Sequence, residues 1–163
     1  MRSELIKDIA KAFEAVHKPK DVDIITPAFG LEATSLLGRF SGLDQSSIDD
    51  VTEYAGCSCE DLYGMGSAAV HYYIQAFLRY IATPGMGWEY GVVVGLIDYF
   101  DIHSVSVIYP PFTKEQIYCL CRILHLIETE CDSYGLAKGD EHIIKIPDIV
   151  KFWTSVSQRC PVK

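Results

Sequence analysis

One helical row of polar side chains is the part of the sequence best suited to acid–base chemistry. His71, Gln75 and Arg79 follow at intervals of four residues in the segment MGSAAVHYYIQAFLRYIATPG. Residues four apart share a helix face, so the three side chains would form a row. Proton transfer also needs a partner that tunes the pKa of the histidine. Because no carboxylate shares this row, we expect it to be the exposed or half-exposed back of a scaffold helix.

Cysteines raise a second possibility, a metal site. The chain has six, including the pairs Cys57-Ser-Cys59 and Cys119-Leu-Cys121. Structural zinc prefers pairs separated by roughly two to four residues, and helix positions two apart point in different directions. The five histidines are scattered, and none lies four residues from another. We therefore predict no metal and no cofactor. The cysteines are expected to be reduced thiols, and Cys121 and Cys131 are expected to lie on a buried helix face.

Negative charge is concentrated in the middle of the chain. The net charge is −8, and residues 40–113 contain nine Asp and Glu residues but one base, Arg79. Such a field repels phosphates, so nucleic acid is not expected as a direct ligand. It favours a basic protein partner, whose association it would accelerate. A solvated surface that keeps the protein in solution is the alternative explanation.

Tyrosines accompany this negative charge. The chain has ten, and several of them, including Tyr54 and Tyr63, lie in the acidic stretch. Tyrosine is enriched at protein interfaces because it supplies a large contact area at a low cost in conformational entropy. Many tyrosines are also half-buried core residues. We expect only a few of them to contact a partner.

Apolar periodicity and capping residues predict the elements that would position these groups. In the first half of the chain, helices are predicted over 3–18, 26–39, 46–56 and 58–64, and the segment quoted above forms a helix between Ser67 and Thr83. Its buried stripe would contain Val70, Tyr73, Ile74, Phe77, Leu78 and Ile81.

The second half of the chain is predicted to be helical as well. Residues 88–100 combine valines and glycines with the length of a buried helix, and we favour the helix. Thr113 and Gln116 form a capping box that opens the longest predicted helix, which ends at Gly135. Its buried face would contain Ile117, Leu120, Cys121, Leu124, Ile127 and Cys131. A last helix is predicted over 146–158.

Length and composition indicate one domain. A chain of 163 residues can bury its own core, and its longest apolar run, GVVVGLI, is far shorter than the ~20 residues of a membrane helix. We predict a mainly α, single domain over 1–163, a bundle of six to seven helices with at most a short β element near 104–109. Without a recognisable signal peptide it is expected to be cytoplasmic and not to bind a membrane.

The segment YYIQAFLRYIA resembles the YYLPAFL helix of a family of small bacterial proteins of unknown function. Gln75 replaces the proline of that pattern, and the matching residues are Tyr72, Tyr73, Ile74, Ala76, Phe77 and Leu78. IAKAF, EATSLLGRFSG and FTKEQIYCLCRILHLIE are similar to other segments of the family. Related small acidic proteins are often immunity partners of secreted bacterial toxins. The resemblance therefore implies a binding protein without catalytic residues.

Charge and resemblance together lead to one functional hypothesis. The chain would be an immunity protein and not an enzyme. It would bind and occlude a secreted bacterial toxin, and the expected toxin class is a basic nuclease. The residues expected to contact the toxin are Asp44, Asp49, Asp50, Glu53, Tyr54, Glu60, Asp61 and Tyr63. The alternative is a small helical enzyme or ligand-binding protein with its site near His71 and Arg79.

Overall fold

The described part of the chain is mainly helical. The computed structural model describes residues 2–25, 37–38, 40–42, 60–84, 90–101 and 111–159. Those residues form no β-strand, and their six α-helices are α1 Arg2–Phe13, α2 Glu60–Gly64, α3 Ser67–Ala82, α4 Tyr90–Phe100, α5 Lys114–Thr129 and α6 Glu141–Arg159. The mainly α prediction is confirmed. The helix predicted over 46–56, most of the one over 26–39 and the β element near 104–109 lie outside the described residues.

Helix α3 is the central element of the core. All six residues of its predicted stripe are at most 4% exposed, which confirms that face. The burial extends much further, because twelve of its sixteen residues are buried. A helix that is apolar on nearly every side is typical of a domain interior. Helices α1, α4 and α5 all pack against α3.

A glycine, not the predicted serine, caps the start of α3. Gly66 is the N-cap residue, and Ser67 is the first residue of the helix. The Gly66 amide donates to the carbonyl of Ile24 at 3.0 Å. A Cβ atom at Gly66 would lie 2.5 Å from the carbonyl oxygen of Asp23. A glycine is therefore required at this position, because the backbone of a distant part of the chain approaches too closely for a side chain. At the other end, Thr83 is the C-cap, as predicted.

Helix α1 ends five residues earlier than the periodicity predicts. Leu5, Ile9 and Phe13 are buried, but the helix ends at Phe13 and not at Lys18. The Val16 amide then turns back to the carbonyl of Phe13 at 3.0 Å. The carbonyl of Ala12 accepts a hydrogen bond from the Gln116 side chain at 3.0 Å. A side chain of α5 thus bonds to a carbonyl at the end of α1. This carbonyl would accept a backbone hydrogen bond from the next helical turn if α1 continued as the local sequence predicts.

Helices α5 and α6 form the most extensive helix pair of the described structure. The predicted capping box at Thr113 and Gln116 is present. Helix α5 is not the longest, however, because α6 has 19 residues against its 16. After Thr129 the chain tightens into a 3-10 helix, Cys131–Tyr134, and Gly135 follows with a left-handed φ of 72°. Helix α6 begins at Glu141, ahead of the predicted start, and includes Pro147.

Helix α4 resolves the ambiguity of the valine-rich segment in favour of a helix. Val93, Leu96 and Ile97 are buried against the rest of the core. At its end, the carbonyl of Phe100 accepts a hydrogen bond from the indole of Trp153 at 3.2 Å. Such a bond satisfies both the buried indole and a carbonyl at the helix terminus. It also joins the end of α4 to α6, where the charged groups described below meet.

Candidate functional site

Most of the predicted partner-binding residues lie outside the described part of the chain. Asp44, Asp49, Asp50, Glu53 and Tyr54 belong to this group, and of Glu60 only the helical backbone is described. Asp61 and Tyr63 are described, and both are on α2. Asp61 is only 3% exposed. Tyr63 is half-buried, with its ring 5.5 Å from that of Tyr99. In this arrangement Asp61 adds almost nothing to the surface, and Tyr63 adds only part of its side chain.

The charge of two further acidic residues of the middle segment is offset within the fold. Asp98 and Asp101, at the end of α4, lie 3.7 and 3.4 Å from the ammonium group of Lys145 on α6. Burial alone would lower the pKa of Lys145, but the two carboxylates outweigh it and the pKa is raised. These acids therefore form an interhelical charge cluster. Six of the nine acids of residues 40–113 lie further upstream, in 44–61, a stretch that contains no lysine or arginine.

His142 belongs to the same interhelical charge cluster. Its Nδ1 atom lies 2.8 Å from a carboxylate oxygen of Asp140, and its Nε2 atom lies 3.4 Å from one of Asp98. Its backbone amide also donates to Asp140 at 3.0 Å. These bonds, the backbone one first, lower the pKa of Asp140. Both ring nitrogens face carboxylates, so the imidazole ties the start of α6 to α4 and presents no ring nitrogen to a substrate.

His71 is a structural hydrogen-bond donor. Its Nε2 atom lies 2.8 Å from Oε1 of Gln116. That same oxygen accepts from the backbone amide of Thr113 at 2.9 Å. Because Gln116 Nε2 donates to the carbonyl of Ala12, Oε1 is the acceptor, and His71 donates to it. The imidazole also packs edge-on against the ring of Phe112, with ring centroids 5.5 Å apart.

The predicted half-exposed row on α3 is present at His71 and Arg79 but not at Gln75. Gln75 is only 2% exposed, and its side chain donates to the carbonyl of Tyr72 at 3.2 Å. His71 and Arg79 are half-buried. The prediction is wrong for Gln75, because α1 and α5 also pack against α3. The sequence indicates which face of a helix is more apolar, but it does not indicate how many neighbours cover the other face.

Replacing Gln116 with alanine should lower the free energy of unfolding by about 2 kcal/mol. The change removes half of the capping box and leaves partly buried partners on α1 and α3 without a hydrogen bond. Urea unfolding followed by circular dichroism measures the loss. Glu115→Ala is the control, because Glu115 is exposed on the same helical turn. A loss below about 0.5 kcal/mol for Gln116→Ala would contradict the structural role of this hydrogen-bond network.

The described cysteines are free thiols in largely apolar surroundings. Cys119 and Cys131 are at most 2% exposed, whereas Cys121, predicted to lie on the buried face, is half-buried. Burial raises the pKa of Cys119 to about 11 and also raises that of Cys121. A raised thiol pKa leaves little nucleophilic thiolate at neutral pH. Within the described ranges no three His, Cys, Asp or Glu residues are grouped to hold a metal ion.

Two surface cavities lie along the antiparallel contact between α1 and α5, and sequence reasoning missed both. The larger measures about 640 Å³ and is lined by Arg2, Leu5, Arg122, His125, Leu126, Thr129 and Glu130. The smaller measures about 440 Å³ and is lined by Asp8, Lys11, Ala12, Thr113, Glu115, Tyr118 and Cys119. The Asp8–Arg122 ion pair connects their walls. Only the packing of two helices far apart in sequence creates these cavities.

Arg2 anchors one end of the larger cavity. Its guanidinium donates to the carbonyls of Ile81 and Ala82 at 3.3 and 3.4 Å, and it forms an ion pair with Glu130. Burial alone would lower the pKa of Arg2, but Glu130 and Tyr134 reverse this and raise it. A cation beside the last carbonyls of α3 also interacts favourably with the helix dipole. Arg2 therefore joins α1 to α3 and to the end of α5.

Comparison with known proteins gives no independent indication of function. Neither a family model, nor a curated protein, nor a solved structure matches the chain significantly. None of the helices in the described ranges is long and apolar enough to cross a membrane. A functional assignment therefore has to start from the charge distribution and from the contacts described above.

Proposed function

We propose that this chain is an immunity protein that binds and occludes a basic toxin, with a nuclease as the toxin class. The charge distribution is the observation that carries the proposal. Residues 43–78 contain six acidic residues and no lysine or arginine. The other described acids of the middle segment, Asp98 and Asp101, lie beside Lys145. The acidic stretch without lysine or arginine in sequence is therefore 44–61, in which the Asp61 side chain is buried.

A nuclease is the toxin class that best complements such a segment. Its active site must be basic to hold a phosphate backbone. A complementary acidic surface both accelerates association and competes directly with the substrate for the basic site. Aromatic side chains such as Tyr54 and Tyr63 would add contact area within the acidic segment. Neutralisation of the toxin would follow from occlusion of its site, without any reaction catalysed by this chain.

The contacts of His71 favour this proposal over an enzyme centred on that residue. A general base must reach the proton of its substrate with a ring nitrogen. Nε2 of His71 instead donates to Gln116, and the ring packs against Phe112. Gln75, between His71 and Arg79 on the helix, is buried. This geometry supports a role for His71 in holding α3 to α5.

Photo-crosslinking in the native host tests the proposal. A benzophenone amino acid at position 54 lies in the acidic segment, and the same group at position 22 is the control, since Val22 is 82% exposed outside that segment. We expect position 54 to capture one basic protein that cleaves DNA or RNA, and position 22 not to capture it. Equal capture from both positions, or a captured protein without nuclease activity, would contradict the proposal.

A further inference from the structure

The larger cavity between α1 and α5 has a cationic wall in an acidic protein. The chain has a net charge of −8, yet this cavity is lined by two arginines, and Glu130 is the carboxylate among its lining residues. Arg2 and Arg122 are 15% and 25% exposed, so water screens their charges less than on an open surface. Arg2 pairs with Glu130 and Arg122 with Asp8, so the wall offers an anion those guanidinium N–H donors that the carboxylates leave unused.

The floor of the same cavity is apolar. Leu5 and Leu126 contribute to it, and each is only 4% exposed. Small-molecule sites in proteins occupy roughly 300–1,000 Å³ and combine an apolar surface with a few polar groups. The 640 Å³ of this cavity falls within that range. A ligand that fits it needs an apolar body as well as a negative charge.

Arg122 has donors to offer such a ligand. One of its terminal nitrogens, Nη1, donates to Asp8. A guanidinium carries five N–H donors, so it can bind a second carboxylate while it keeps the first. The ring of Tyr118, 5.5 Å from the centre of the guanidinium, helps to hold it in place. Binding would therefore not require the Asp8–Arg122 ion pair to break.

We propose that this cavity binds a small carboxylate with an aliphatic body, the carboxylate on Arg122 and the apolar part on Leu5 and Leu126. None of the residues that line the cavity belongs to 44–61. The site therefore does not depend on the proposed immunity function, and the two proposals can fail independently. Octanoate is the probe, because it combines one carboxylate with a short, soluble aliphatic chain.

Calorimetric titration of the full chain with three octyl compounds tests the site. We expect octanoate to bind at a single site with a Kd below about 1 mM. Octanol and octyltrimethylammonium, which keep the apolar chain but not the negative charge, should bind at least about tenfold more weakly. These comparisons use the unmodified chain, so they do not depend on the folding of a variant. Equal affinity for the three compounds, or no saturable octanoate binding, would overturn the proposal.

Two variants locate the site. Arg122→Gln should weaken octanoate binding at least about tenfold, because glutamine can still donate to Asp8 but carries no charge. Arg159→Gln is the matched control, since Arg159 is exposed in the last turn of α6 and should leave the affinity unchanged. In the unmodified chain, octanoate should shift the methyl NMR signals of Leu5 and Leu126. Unchanged affinity in Arg122→Gln, or methyl shifts confined to other residues, would contradict this location.

Discussion

Replacing Leu124 with alanine should lower the free energy of unfolding by about 2–5 kcal/mol. Leu124 is 0% exposed in the middle of α5. Helix α5 packs against α1, α3 and α6, so its central leucine lies where these elements meet. The substitution loses the burial of the side chain and leaves a cavity that rigid neighbours fill only in part. Urea unfolding of the unmodified chain and of the Leu124→Ala variant measures the difference. The free energy of unfolding should depend on urea concentration with the same slope in both proteins.

An exposed aliphatic residue provides the control for Leu124. Ile144 on α6 is 64% exposed, and Ile144→Ala should change the free energy of unfolding by less than about 0.5 kcal/mol. The two substitutions differ mainly in burial, so the comparison isolates packing from helix propensity. If Leu124→Ala cost no more than Ile144→Ala, the arrangement of α5 in the core would be wrong.

Reversing the charges of Asp49 and Asp50 to lysine should slow association with the basic partner on the order of 100-fold at low salt. The change converts local attraction into repulsion at the segment proposed to dock. The effect should shrink as salt is added, because counterions screen the interaction. Stopped-flow association rates at several ionic strengths measure it. His71→Ala and Arg79→Ala should leave the affinity within about tenfold.

A second charge reversal separates the effect of the acidic segment on the association rate from the effect of net charge. Asp132 and Asp148 are both exposed and lie outside that segment. The double change of Asp132 and Asp148 to lysine alters the net charge by the same amount as the change of Asp49 and Asp50. It should reduce the association rate far less. Equal effects of the two double variants would show that the partner responds to overall charge and not to residues 44–61.

The helices of the core were predictable because their apolar residues follow a regular period. The buried stripe of α3 and the capping box of α5 both appear in the structure as predicted. The helix ends were less predictable, because remote contacts decide them. Gly66 caps α3 where the backbone of Asp23 approaches. The carbonyl of Ala12, at the end of α1, bonds to Gln116, which is 104 residues away.

Features of the candidate sites depend even more on tertiary contacts. The sequence shows an acidic middle segment, but it does not show that Lys145 offsets Asp98 and Asp101. It also places Asp61 beside Glu60 as one more acid, whereas the fold buries the Asp61 side chain. The larger cavity lies between α1 and α5 and is lined by residues more than 110 positions apart, such as Arg2 and Arg122. No periodicity or local motif reports such a juxtaposition.

Inhibition of the captured partner is the most direct test of the proposed function. The measurement is the nuclease activity of the partner, identified by crosslinking and then purified without the crosslinked chain, as the unmodified chain is titrated into the assay. We predict complete loss of activity at one equivalent of the unmodified chain or of the His71→Ala and Arg79→Ala variants. The Asp49 and Asp50 reversal should need on the order of 100-fold more chain at low salt. Activity that persists with saturating unmodified chain, or inhibition that depends on His71 but not on Asp49 and Asp50, would contradict the proposal.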